Sequence, residues 1–171
     1  MRKRIALASL IVTLALSVGL TSVAPPAQAA TRAESHPAFL DKTRFALHMG
    51  LAYFAFHHFV WNKYKAGDFK AGAAHRTSTI IKAGIALLFT VHELKKAYDI
   101  ANGSSSKTLQ ALVKPLNALG YKMQTIGNRF KKGQYSDADV NSLNSSANSF
   151  SKTSSTNGYG FKDIPVTIPG A

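Results

Sequence analysis

The most regular pattern in the chain lies between Leu109 and Phe130. Leu109, Leu112, Leu116, Leu119, Met123, Ile126 and Phe130 recur at alternating spacings of three and four. Such a seam, sustained over successive heptads, predicts an amphipathic helix packed along one side. Pro115 lies within it. Proline has no N–H to offer the carbonyl of Ala111, so a kink is expected at 111–115. The same spacing continues more weakly in Val140, Leu143, Ala147 and Phe150, behind Ser136-Asp137-Ala138-Asp139, which reads as a capping-box start. Ser and Asn fill the remaining positions and are poor helix formers, so a frayed helix and a partly ordered arm both suit 136–152.

Two more apolar segments precede these. The first runs from about Pro37 to Lys65, with Ser35 as N-cap, Asp41 at the positive end and Ala66-Gly67 as the stop. From Phe45 to Asn62 it carries no Asp, Glu, Lys or Arg. A helical wheel puts Asp41, Arg44, His48, His58 and Asn62 on one side, with Ala52 and Ala55 between them, a narrow polar stripe on a core helix. The second runs from about Phe69 to Ala101, between Asp68 as N-cap and Asn102-Gly103 as C-cap; Gly72 and Gly84 weaken it, so a start near Ala73 is compatible. Ile80, Ile81, Ile85, Leu88, Val91, Leu94 and Tyr98 form its expected core face, and Lys82, Glu93 and Lys96 its outer side.

No strand pattern of any length accompanies these segments. The expected fold class is therefore all-α, an antiparallel up-down four-helix bundle, with the first two segments as its most buried hairpin. The domain reading is a secretory signal at 1–29, a short linker at 30–36, the bundle at 37–152 and an irregular tail at 153–171, in which Val166 and Ile168 dock as an extended piece. The signal rests on Arg2-Lys3-Arg4, the apolar run from Ile5 to Leu20, the break at Pro25-Pro26 and the small-x-small Ala27-Gln28-Ala29. The localisation implied is the cell envelope or the medium, of bacterial character. No stable transmembrane insertion is expected after cleavage. His48, His57, His58 and Asn62 interrupt the first apolar window, and Lys82 and Glu93 shorten the second.

Composition narrows the chemistry. The chain has 171 residues and no cysteine, which excludes disulfides, thiolate metal sites, iron–sulfur clusters and a cysteine nucleophile. Its formal charge is +13, of which the three leader residues account for three. Between Asp99 and Asp137 there is no acid, but Lys107, Lys114, Lys122, Arg129, Lys131 and Lys132 stand there. On the wheel most of them lie opposite the apolar seam. This is the candidate anion-binding face, and its expected partners are anionic envelope polymers, lipid head groups or an acidic protein. The aromatics sit mostly in the first two segments rather than among these cations, so no sequence-specific nucleic acid partner is expected.

Six histidines invite a metal or haem reading. Folding the first hairpin sets His48 level with His92, the candidate ligand pair. No His-Glu-x-x-His or His-x-x-Glu spacing supports them, and no GxSxG, Walker or GxGxxG loop occurs. No catalytic residue and no cofactor are therefore assigned. The leading expectation is an exported basic helical bundle that acts by binding rather than catalysis. Two alternatives stand beside it: a membrane-active protein using its apolar hairpin, and a small haem or metal carrier using His48 and His92.

Overall fold

The computed structural model describes residues 38–171. The leader, the linker, Ser35, His36 and Pro37 lie outside the described residues. The elements are α1 (Ala38–Phe56), a π-helical turn (His57–Trp61), α2 (Asn62–Ala66), α3 (Arg76–Gly103), α4 (Lys107–Gln110), α5 (Val113–Lys131) and α6 (Asp137–Thr156). There is no strand among the described residues. α1 with its π turn and α2, then α3, then α4 with α5, then α6 make the four rods of an all-α bundle. α3 packs between α1 and α5, and α6 lies against α5 and the π turn.

Local chemistry sets most boundaries. Gly67 closes α2 in the left-handed region at φ 82°, and Asp68 N–H reaches back to the carbonyl of Lys63. Residues 69–75 form turns instead of the start of the second helix. They wrap around buried Phe69, whose ring meets Phe130 and Tyr135 edge-on and whose carbonyl accepts from Arg76 Nε at 2.9 Å. Where the kink is expected, α4 ends at Gln110 and α5 begins at Val113 with a two-residue turn between them, the carbonyl of Ala111 having no N–H from Pro115 to accept. All seven seam residues from Leu109 to Phe130 are buried. The capping box of Ser136 and Asp139 is fully formed, and α6 continues through the Ser/Asn stretch to Thr156, past the boundary expected at 152.

The α1–α3 interface departs from the expected face. In α3 the buried positions facing inward are Ala83, Ala86, Thr90, Glu93, Ala97 and Ala101, again at spacings of three and four. Ala86 clusters with Ala55 of α1, and Thr90 Oγ1 donates to the carbonyls of Ala86 and, across the interface, Ala52. The Ala52–Ala55 part of the stripe thus meets α3, while Arg44, His58 and Asn62 remain exposed. The large side chains assigned to the core of the second segment are only partly taken up, with Ile81 58% and Leu88 43% exposed. Leu94 of that set is buried as expected, and Leu87, the neighbour of Leu88 and outside the expected face, is fully buried as well. The reason is distance: small residues let two helices approach, and the bulky ones are turned to the sides.

Residues 157–171 form an extended strap over α1 and α3. Tyr159 is buried against Phe45, and its hydroxyl lies 2.6 Å from Ser106 Oγ. Ile164 N–H donates to the carbonyl of Gly50 at 3.0 Å. A Cβ at Gly50 would stand 2.5 Å from the carbonyl oxygen of Lys162, so only glycine lets the strap lie this close. Asp163 binds His57 Nδ1 at 2.6 Å, and Ile168 enters the Ala55–Ala86 cluster. The π turn carries His57 toward this strap while Val60 stays buried; a wheel of constant 100° steps does not follow the chain past Phe56.

Leu87→Ala should cost about 2–5 kcal/mol, as expected of a fully buried leucine. Leu88→Ala should cost no more than about 0.5–1 kcal/mol. Urea denaturation of both variants measures this, and equal losses would refute the α3 register described here.

Candidate functional site

The basic face is built by α4, α5 and the turn after them. Ser106 caps α4 by accepting from Leu109 N–H, which fixes Lys107 at the first helical position. Lys107, Lys114, Lys131 and Lys132 are exposed, and none has a carboxylate within ion-pair distance among the described residues.

The other two members of the expected face are placed differently. Lys122 is half-buried and donates to Ser142 Oγ at 3.1 Å and Ser146 Oγ at 2.8 Å, across to α6. Arg129 binds Asp139 Oδ1 at 2.6 Å. The other oxygen of Asp139 accepts from Ser136 N–H at 3.0 Å, so one carboxylate serves both the helix cap and the ion pair. These two cations tie α5 to α6. The wheel gave their angle from the seam, but no pattern along the chain told where α6 would lie. The i,i+3 serines 142, 145 and 146, 149 beside Lys122 line a cavity of about 370 Å³ between the two helices.

A second polar locus lies between α1 and α3. His48 Nδ1 lies 2.6 Å from Glu93 Oε2, and the Glu93 residue is only 3% exposed. Its other oxygen is 3.4 Å from Lys96 Nζ and 3.9 Å from His92 Nε2. The expected facing pair of His48 and His92 does not form: each approaches a different oxygen of Glu93, and His92 stands mostly in solvent. Glu93 itself faces inward rather than outward, because the small-residue register of α3 turns position 93 toward α1. A spacing of 83, 86, 90, 93 and 97 was the available signal, masked by the larger residues beside it. A carboxylate taken this far from water needs such partners.

The cleft beside this pair has a volume of about 540 Å³ and is lined by Asp41, Arg44, His48, Lys96 and Asp99. Its charges are of both signs, and Asp99 is already shared with Lys95 at 3.6 Å. Among the described residues no group of three His, Cys, Asp or Glu side chains is placed to hold a metal. The remaining described histidines have separate settings. His57 holds the strap, His58 stacks on Phe54 at 5.1 Å, and His75 is exposed in the left-handed region at φ 59°. Burial pushes the Tyr53 hydroxyl well above its ordinary range, so it remains a donor, given at 2.5 Å to the carbonyl of Ala147 on α6.

No protein-family model, curated protein or solved structure matches this chain. The functional reading therefore rests on the chemistry of these surfaces.

Arg129→Gln should cost about 1 kcal/mol and accelerate amide exchange at residues 136–140, since it removes a partner of the cap carboxylate. Lys114→Gln should change stability by less than about 0.5 kcal/mol. Hydrogen exchange with mass spectrometry distinguishes them; identical profiles would mean that the Arg129–Asp139 pair does no structural work in solution.

Proposed function

We propose that this protein is an exported, non-catalytic helical bundle that binds anionic components of the cell envelope. The observation that carries the reading is the set of four exposed lysines, Lys107, Lys114, Lys131 and Lys132, without carboxylate partners among the described residues. Five acids are engaged with other cations: Asp68 with Lys63, Glu93 with His48 and Lys96, Asp99 with Lys95, Asp139 with Arg129, Asp163 with His57; Asp137, exposed at the start of α6, pairs with none of the four lysines. Surplus positive charge is thus left on the surface. A field of that sign raises the local concentration of polyanions and speeds their capture.

The apolar hairpin supports a related reading on one observation. α3 is the described helix long and apolar enough to cross a membrane by length and composition, and its apolar surface is only partly buried. Its small-residue side is committed to α1, which favours contact with a lipid surface over insertion through it.

The test is binding of the purified protein to phosphatidylglycerol vesicles and to a glycerol-phosphate polymer, from low to physiological salt. Exposed charges are screened over about 8 Å at physiological ionic strength, so affinity should fall steeply. Replacing Lys107, Lys114, Lys131 and Lys132 together by glutamine should cost roughly 3–4 kcal/mol of binding near an anionic surface, at least about a hundredfold. Stability should be almost unchanged, because none of the four holds another helix. Binding that ignores salt, or a quadruple variant that binds as the parent does, would overturn the proposal.

A further inference from the structure

We propose that the outward face of α3, between the C-terminal strap and the last turn of α5, seats in the interfacial layer of an anionic lipid bilayer. This rests on the anionic-surface reading above and narrows its target to lipid head groups with acyl chains beneath them.

Ile81 and Leu88 stand two turns apart on one side of α3 with Ile85 between them, and both are substantially exposed. Behind them Ile80, Gly84, Ile85 and Phe130 floor a shallow cavity of about 190 Å³ with Lys131 at its edge. Gly84 lines this cavity without a side chain: a Cβ there would have Lys131 Cγ and Phe130 Cβ as its nearest neighbours, both at 4.0 Å. Lys131 thus lays its methylenes on apolar surface and keeps its ammonium in water, the arrangement that suits a lysine at a head-group layer. On the far side the strap extends the apolar area. A Cβ at Gly170 would touch Ile85 Cδ1 at 3.4 Å, and Val166, Phe89 and Phe59 are partly buried beside Ile168.

Charge complementarity selects the occupant. Lys131 lines the patch, Lys132 follows it in the chain and Lys82 follows Ile81 on α3; all three are exposed. α5 carries no acid, and α3 carries none before Glu93, which is turned inward. A second copy docked by a twofold axis would bring this cationic rim toward itself, with no acidic side chain on α5 or on the first four turns of α3 to meet it. An anionic bilayer supplies both needs, phosphate for the rim and hydrocarbon for Ile81 and Leu88. The same geometry explains why these side chains are left out of the core: alanines and a threonine occupy the inward seam.

The absence of cysteine makes a direct test available, since one introduced thiol is the only site of labelling. Leu88→Cys on α3 and Lys152→Cys on α6 are labelled separately with an environment-sensitive dye. They are then mixed with phosphatidylglycerol or phosphatidylcholine vesicles. The expected result is a blue shift, with quenching by lipid-borne quenchers, at position 88 only and with phosphatidylglycerol only. The double variant Ile81→Gln with Leu88→Gln should partition at least about tenfold more weakly while retaining its thermal unfolding transition. Vesicle binding with position 88 still in water, and a double variant binding as the parent, would overturn this inference and leave the anionic-surface reading standing. Salt-sensitive binding to the glycerol-phosphate polymer without vesicle binding would do the same. A vesicle-independent blue shift accompanied by a doubled mass in light scattering would overturn it in favour of self-association. Loss of binding to both vesicles and polymer would overturn the anionic-surface reading itself.

Discussion

The close approach of α1 and α3 through small side chains is the constraint on which the other features depend. Ala55 meets Ala86, Thr90 Oγ1 reaches the carbonyl of Ala52 on the opposite helix, and Ala83 and Ala97 continue the buried stripe. Interiors are packed as densely as organic crystals, so an interface lined with methyl groups forces the axes together. Once they are together, larger residues can no longer point between them. Ile81, Ile85 and Leu88 are displaced outward, and Leu87 and Leu94 fill the other side, toward α5. Position 93 is carried into the interface by the same register, and its carboxylate is tolerated there because His48, Lys96 and, at longer range, His92 converge on it.

The remaining elements close over this pair. The strap uses the one glycine of α1, Gly50, to lie against its backbone, and it covers the alanine pair with Ile168. α6 is fastened from two helices: Tyr53 of α1 donates to its backbone, and from α5 Lys122 donates to its serines and Arg129 to its cap carboxylate. Such a helix, rich in Ser and Asn, gains little from intrinsic propensity and depends on these contacts together with the buried Val140, Leu143, Ala147 and Phe150. What is left unattached is the outer lysines and the apolar flank of α3, and the proposals for function draw on both.

How much of this was legible in the sequence follows from what carries each feature. Patterns borne by large residues or by local chemistry were readable. The Leu109–Phe130 seam, the break at Pro115, the stop at Gly67 and the capping box at Ser136 all depend on positions within a turn or two of one another. Features fixed by size matching between distant segments were not. The alanine seam of α3 has the same three-four spacing as the leucine seam of α5, but hydrophobicity weighs an isoleucine above an alanine; the expected face holds buried Leu94 and the half-buried Ile80, Val91 and Tyr98, while Ile81 and Leu88 fall outside the core. The His48–Glu93 pair was masked in the same way. Lys122 and Arg129 lie on the basic side of α5 as read, but their partners are on α6, and no spacing within a single helix shows which flank a later helix will cover. The leader, from which export is inferred, lies outside the described residues.

The central claim is that α1 and α3 touch through alanine-sized contacts and that this close fit sets the orientation of everything on α3. Ala86→Leu tests it most directly, because Ala86 is fully buried beneath Ala55 and Ile168. The account predicts a loss of about 1–3 kcal/mol in urea denaturation, as overpacking of a tight interface costs. It also predicts faster amide exchange in the strap around residues 164–168. A variant as stable as the parent or more stable, with the strap protected as before, would show that there is room for larger side chains between the helices. The close approach would then not be the origin of the outward face of α3.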